Sequence, residues 1–88
     1  MKIIIFNKEY YINLQELNLK SRQLQSLPVE IAHFLNLKKL NLSFNQLQNL
    51  LSEIDNLINL QKLTLLFNKL QSLPAEIGNL IKLQYLYL

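Results

Sequence analysis

The sequence contains no cysteine and no tryptophan, a single glycine, Gly78, and only two prolines, Pro28 and Pro74. Without cysteine there is no disulfide framework, no thiolate metal site and no thiol nucleophile. One glycine cannot build a phosphate-cradling loop. His33 is the sole histidine and Asp55 the sole aspartate, so no histidine pair or carboxylate cluster offers metal-ligand spacing. Neither a metal nor any other cofactor is expected. Ser52, His33 and Asp55 fall on related segments of the chain. A Ser–His–Asp arrangement needs mutual hydrogen bonds and an oxyanion site, which nothing here suggests, and the chain reads as non-enzymatic.

Long apolar runs are missing too. The run Ile3-Ile4-Ile5-Phe6 near the N-terminus stops after four residues, whereas a secretory core needs about 7–15 and a membrane helix about 20. No membrane insertion is expected. With Met1 as the native start, the cytoplasm is the default location.

What remains is 88 residues, half of them apolar, a length that suits one small domain. A net charge of +3 is a mild basic bias, too weak by itself to mark a nucleic-acid binder.

Repetition decides the fold. Leu14, Leu37, Leu60 and Leu83 recur every 23 residues. In that frame the units are 14–36, 37–59 and 60–82, followed by 83–88, with residues 1–13 outside the pattern. Each unit opens on leucines at a fixed spacing: Leu14/Leu17/Leu19, Leu37/Leu40/Leu42, Leu60/Leu63/Leu65 and Leu83/Leu86/Leu88. Leu24/Leu27, Leu47/Leu50 and Leu70/Leu73 follow, then Glu30-Ile31, Glu53-Ile54 and Glu76-Ile77, and then Phe34, Leu57 and Leu80. The alternation within each opening has strand period, so its leucines point one way and the residues between them the other. One unit cannot bury its own leucines, but stacked units bury a continuous core. The result is an α/β solenoid with one parallel sheet on its concave side. Strands are predicted near 15–19, 38–42, 61–65 and 84–88. Single helical or 3₁₀ turns are predicted near 29–34, 52–57 and 75–80 on the convex side.

The residues also carry a family resemblance. Asn41-Leu-Ser-Phe-Asn-Gln-Leu47 and Thr64-Leu-Leu-Phe-Asn-Lys-Leu70 resemble the L-x-L-x-x-N-x-L core of leucine-rich repeats, and Leu73-Pro74-Ala75-Glu76-Ile77-Gly78-Asn79-Leu80 resembles the tail of the 23-residue type. With Gln, Lys and Asn in the variable slots, the chain is similar over residues 14–88 to the leptospiral leucine-rich-repeat proteins. The resemblance implies a fragment of a horseshoe and contact with host or envelope proteins.

Departures from the pattern are few. Asn45 and Asn68 sit where the chain leaves the strand, and their amides suit the pairing of stranded backbone groups; both are read as structural turn residues. Arg22 holds the same slot in the first unit, which predicts a looser first turn. Leu51 stands where the other units have Pro28 and Pro74, which predicts a slightly relaxed second return segment. Residues 2–12 read as two short strands around Asn7-Lys8, an N-terminal cap; a degenerate half-repeat is the alternative. At the other end, Leu83, Tyr85, Leu86, Tyr87 and Leu88 form an open sheet edge with no charged side chain, a predicted site of self-association.

Two surfaces are candidates for partner binding. Between the core leucines lie Glu16/Lys39/Lys62/Tyr85, Asn18/Asn41/Thr64/Tyr87 and Lys20/Ser43/Leu66, with Ser21/Phe44/Phe67 at the strand exits. Lys39, Lys62, Thr64, Leu66, Phe67, Tyr85 and Tyr87 are predicted to meet a protein partner. Cations gather on the strand-and-turn halves, and Glu30, Glu53, Asp55 and Glu76 on the return segments, which suits an acidic partner; solvated faces without a partner are the plainer alternative. Self-association into a homo-oligomer is the second reading. Nucleic-acid binding is the weaker rival, because no recognition motif accompanies the basic residues.

Overall fold

A computed structural model describes all 88 residues. Two strands, β1 (Lys2–Ile5) and β2 (Lys8–Tyr11), precede four very short ones: β3 (Glu16–Asn18), β4 (Lys39–Asn41), β5 (Lys62–Thr64) and β6 (Tyr85–Tyr87). Between the latter run three 3₁₀ helices, Val29–His33, Ser52–Asn56 and Ala75–Asn79. Strands β3 to β6 form one parallel sheet in sequential order. Each pair is in 23-residue register, as Leu17↔Leu40, Leu40↔Leu63 and Leu63↔Leu86 show. No helix is long and apolar enough to cross a membrane.

The ladder outruns the strands. Leu19 N–H donates to Asn41 O at 2.9 Å and Leu42 N–H to Thr64 O at 2.9 Å, while Ser21 and Phe44 N–H reach Ser43 and Leu66 O. On the return side the spacing of three among Ile31, Phe34 and Leu37 suits 3₁₀ geometry, in which residues i and i+3 eclipse. Phe34 N–H donates to Ile31 O and Leu37 N–H to Phe34 O, so all three side chains line up on one side and are fully buried. Ile54, Leu57 and Leu60 repeat the arrangement with the same burial.

The core is one continuous column of leucines, isoleucines and Phe34. At its N-terminal end β1 and β2 pair antiparallel, Ile3 opposite Tyr10 and Ile5 opposite Lys8. Ile3 and Ile5 point inward and are buried, whereas Ile4 is 63% exposed. Tyr10 meets Phe34 edge-on, with centroids 6.1 Å apart. The tight turn of this hairpin is Phe6-Asn7, both at positive φ (51° and 64°), as a two-residue primed turn requires. It thus sits one residue before the dipeptide the sequence suggested. At the C-terminal end the equivalent leucines are open: Leu86 is 38% and Leu88 65% exposed, against 1% and 0% for Leu40 and Leu42.

One local expectation needs correction, and one departure is visible at the first turn. Arg22 makes none of the own-turn bonds that Asn45 and Asn68 make, and the first turn is held only from the second unit by Asn45. Leu51 does not relax its return segment. Its backbone (φ −72°, ψ 147°) matches Pro28 (−69°, 144°) and Pro74 (−65°, 148°), so the extended conformation comes from the repeat packing and proline only suits it.

Candidate binding surface

The strand pleat builds the surface. With the leucines committed to the core, every second side chain faces solvent on the concave side. Parallel register then sets Glu16, Lys39, Lys62 and Tyr85 in one row. The next row is Asn18, Asn41, Thr64 and Tyr87. Adjacent members of a row are about 4.8 Å apart at the backbone. Lys39 and Lys62 are exposed and Thr64 half-buried. They border two adjoining shallow hollows of about 330 and 200 Å³, and both lysines line both hollows.

The two asparagines of the second row's first half have a local task. Asn18 Oδ1 accepts from Lys20 N–H and Asn41 Oδ1 from Ser43 N–H, each at 3.0 Å. These side-chain bonds satisfy two amides without a backbone partner, while Ser21 and Phe44 carry the ladder one residue further. Spacing alone gave no sign of this, although Asn at a strand exit is a known turn signal.

Asn45 and Asn68 stand behind the surface. Asn45 Oδ1 accepts from Arg22 and Leu24 N–H, both at 3.0 Å, while its amide nitrogen donates to Leu19, Leu42 and Ser43 O. Asn68 repeats the pattern more thinly, accepting from Leu47 N–H and donating to Leu42 and Leu65 O. Each asparagine ties its own turn to the one before it.

At those exits Ser21, Phe44 and Phe67 all adopt left-handed backbone, with φ of 58°, 58° and 59°. The first exit carries a second such residue, Gln23. The exposed aromatic residues here form two stacked pairs. Phe44 and Phe67 stack with centroids 4.5 Å apart, and Tyr85 and Tyr87 lie parallel at 6.4 Å. Lys62 Nζ is 5.6 Å from the Tyr87 ring centroid. Leu66 is half-buried beside the exposed Phe67. Leu83 is half-buried, and Tyr85, Leu86, Tyr87 and Leu88 are exposed.

Charge is distributed by element. The acids Glu30, Glu53, Asp55 and Glu76 lie in the 3₁₀ helices. The only ion pair is Lys2–Glu9 in the hairpin, at 3.3 Å, so Lys39, Lys62 and Lys69 are free of carboxylate partners. On the convex side Asn79 donates to Asp55 Oδ2 and the Ser52 hydroxyl to Glu53 Oε1. Ser52 and Asp55 are therefore each engaged within or between return segments, and His33 is exposed.

No family model and no curated protein matches the chain. Among solved structures, 23 chains match. One of them, a leucine-rich-repeat protein of Leptospira interrogans, is 51% identical over 83% of this chain, with a TM-score of 0.82. This chain spans 19% of the length of that one.

Proposed function

This chain belongs to the leucine-rich-repeat proteins of the 23-residue, leptospiral-like type, and on that premise we propose that it is a non-enzymatic module binding an acidic protein partner on its concave face. The fold supports protein–protein interaction in general. For the concave face in particular, the supporting observation is the pairing of Lys39 with Lys62 in register, both exposed and neither in an ion pair. Like charges directly opposite across neighbouring strands repel. A carboxylate seated between them would relieve that repulsion and gain two charge-assisted hydrogen bonds. Tyr85 and Tyr87 extend the rows with exposed rings (53% and 42%), and tyrosine is enriched in interface cores. Thr64, Leu66 and Phe67 complete the surface.

The experiment is a selection of displayed random peptides on the chain, followed by a Lys39→Gln/Lys62→Gln variant. Enriched peptides should carry Asp or Glu and lose binding to the variant. Enrichment of neutral or basic peptides that the variant still binds would refute the reading.

A second reading has one observation in its favour. Leu86 and Leu88 are far more exposed than their equivalents, and β6 has a neighbour, β5, on one side only. Pairing of two β6 edges would cover them in a homodimer. Light scattering on the chain and on a Tyr87→Lys/Leu88→Lys variant decides it. A dimer that the variant dissociates supports this reading, and a monomer at high concentration refutes it.

A further inference from the structure

Beyond the two rows in ladder register lies the rim where the strands end. Residues 20–25, 43–48 and 66–71 stack there at the repeat spacing, and none of the chain's six acidic residues lies in them. Three cations do. Lys20, Arg22 and Lys69 are exposed, and the protein's one ion pair lies elsewhere, in the hairpin.

Among these cations sits the Phe44–Phe67 stack, its planes 14° from parallel, with Lys20 Nζ 5.3 Å from the Phe44 centroid. Core burial does not explain these rings, which are 47% and 68% exposed. Their backbones share the left-handed φ of the equivalent Ser21, so the repeat's turn holds both side chains out at the rim. Beside the rings, Gln25, Gln46, Gln48 and Lys69 line a polar hollow of about 450 Å³ that shares Gln46 with the hollow bordered by the two phenylalanines.

We infer that this rim is a second docking surface, built for an acidic, extended peptide segment of a partner protein. Lys20, Arg22 and Lys69 meet its carboxylates, and the glutamine amides pair with its backbone. The stack adds to the same field. Aromatic rings are negative on their faces and positive at their edges, and a stacked pair offers its edges while occupying one face of each ring. A single-stranded nucleic acid would use the same cations, but it needs a run of open ring faces for successive bases, and the stack leaves at most one face of each ring. The rim shares Leu66 and Phe67 with the concave face but not Lys39 or Lys62, and the inference does not rest on the concave reading.

The test is a titration of the isotope-labelled full chain with a pool of short synthetic peptides rich in Asp and Glu. A matched pool carries Asn and Gln instead. The acidic pool should perturb backbone amides in 20–25, 43–48 and 66–71, and the neutral pool should leave them unchanged. Lys20→Gln/Lys69→Gln should weaken binding about tenfold, in the range set by losing paired charges, while Lys39→Gln/Lys62→Gln should not affect rim binding. Phe44→Ser should weaken it as well. Should that variant fail to fold, the surface lysine pair still decides the matter. The inference falls if the acidic pool perturbs only the concave rows, or perturbs nothing. It also falls if oligouridylate binds the rim more tightly than the acidic pool does.

Discussion

The side-chain oxygen of Asn45 lies 3.0 Å from the backbone nitrogen of Leu24, a residue 21 positions earlier, and accepts its hydrogen bond inside the core. The same amide also serves Arg22, Leu19, Leu42 and Ser43. This one buried side chain therefore replaces the ladder where two successive strands end, and no buried side-chain polar atom in the protein lacks a partner.

Replacing Asn45 by alanine removes those bonds and leaves several backbone groups unpaired in an apolar site. Each unsatisfied buried group costs about 1–3 kcal/mol. Asn45→Ala should lose about 3–4 kcal/mol in urea denaturation. Asn68→Ala should lose roughly half as much, because Asn68 is half-buried and makes fewer bonds.

Leucines in equivalent slots should differ sharply. Leu40 is 1% exposed and Leu86 38%, although both stand at the centre of a strand. Leu40→Ala should cost about 2–5 kcal/mol through lost burial and a cavity. Leu86→Ala should cost about 1 kcal/mol, since its removal opens no enclosed space. Equal losses in denaturant melts would contradict this difference in burial.

Leu51→Pro should stabilise. The backbone already holds proline dihedrals, and the Leu51 amide makes no backbone hydrogen bond. Restricting the unfolded chain then contributes about 0.4–1 kcal/mol. Thermal melting of the variant checks it, and a lowered midpoint would show that the leucine side chain matters more than the backbone.

Gln23→Gly should also stabilise, by about 0.5–1 kcal/mol. Gln23 is exposed and has a φ of 58°. Glycine relieves the steric cost of that conformation, and the larger entropy of its unfolded chain offsets only part of the gain. The same substitution at Gln46, which is not in the left-handed region, should destabilise.

Much of the architecture was legible in the residues. The 23-residue leucine spacing located every strand of the parallel sheet to within a residue or so, and the spacing of three in Ile31-Phe34-Leu37 located the 3₁₀ helices. Both follow from which positions must be buried. The hairpin turn was harder. Turns at Phe6-Asn7 and at Asn7-Lys8 differ by a slip of two residues in pairing, and such a slip leaves Ile3, Ile5 and Tyr10 on the same face. The alternation is satisfied either way. Only the packing of Tyr10 on Phe34, with the Ile12 amide bonded to Met1 O at 2.9 Å, selects one register.

The binding surface divides in the same manner. The repeat dictates that Lys39 lies beside Lys62 and Tyr85 beyond them, because parallel register follows from the frame. The same frame sets Phe44 beside Phe67, and they stack. It does not dictate that Tyr85 and Tyr87, two residues apart on β6, lie parallel as a separate pair, which side-chain rotation on the strand decides. Asn45 follows the same division. Its position marks a strand exit in the sequence, but the asparagine acts backward on the preceding unit. Periodicity fixes what is buried through the chain's own spacing. Which groups meet across units depends on how neighbouring turns are oriented in space, and only the folded chain sets that.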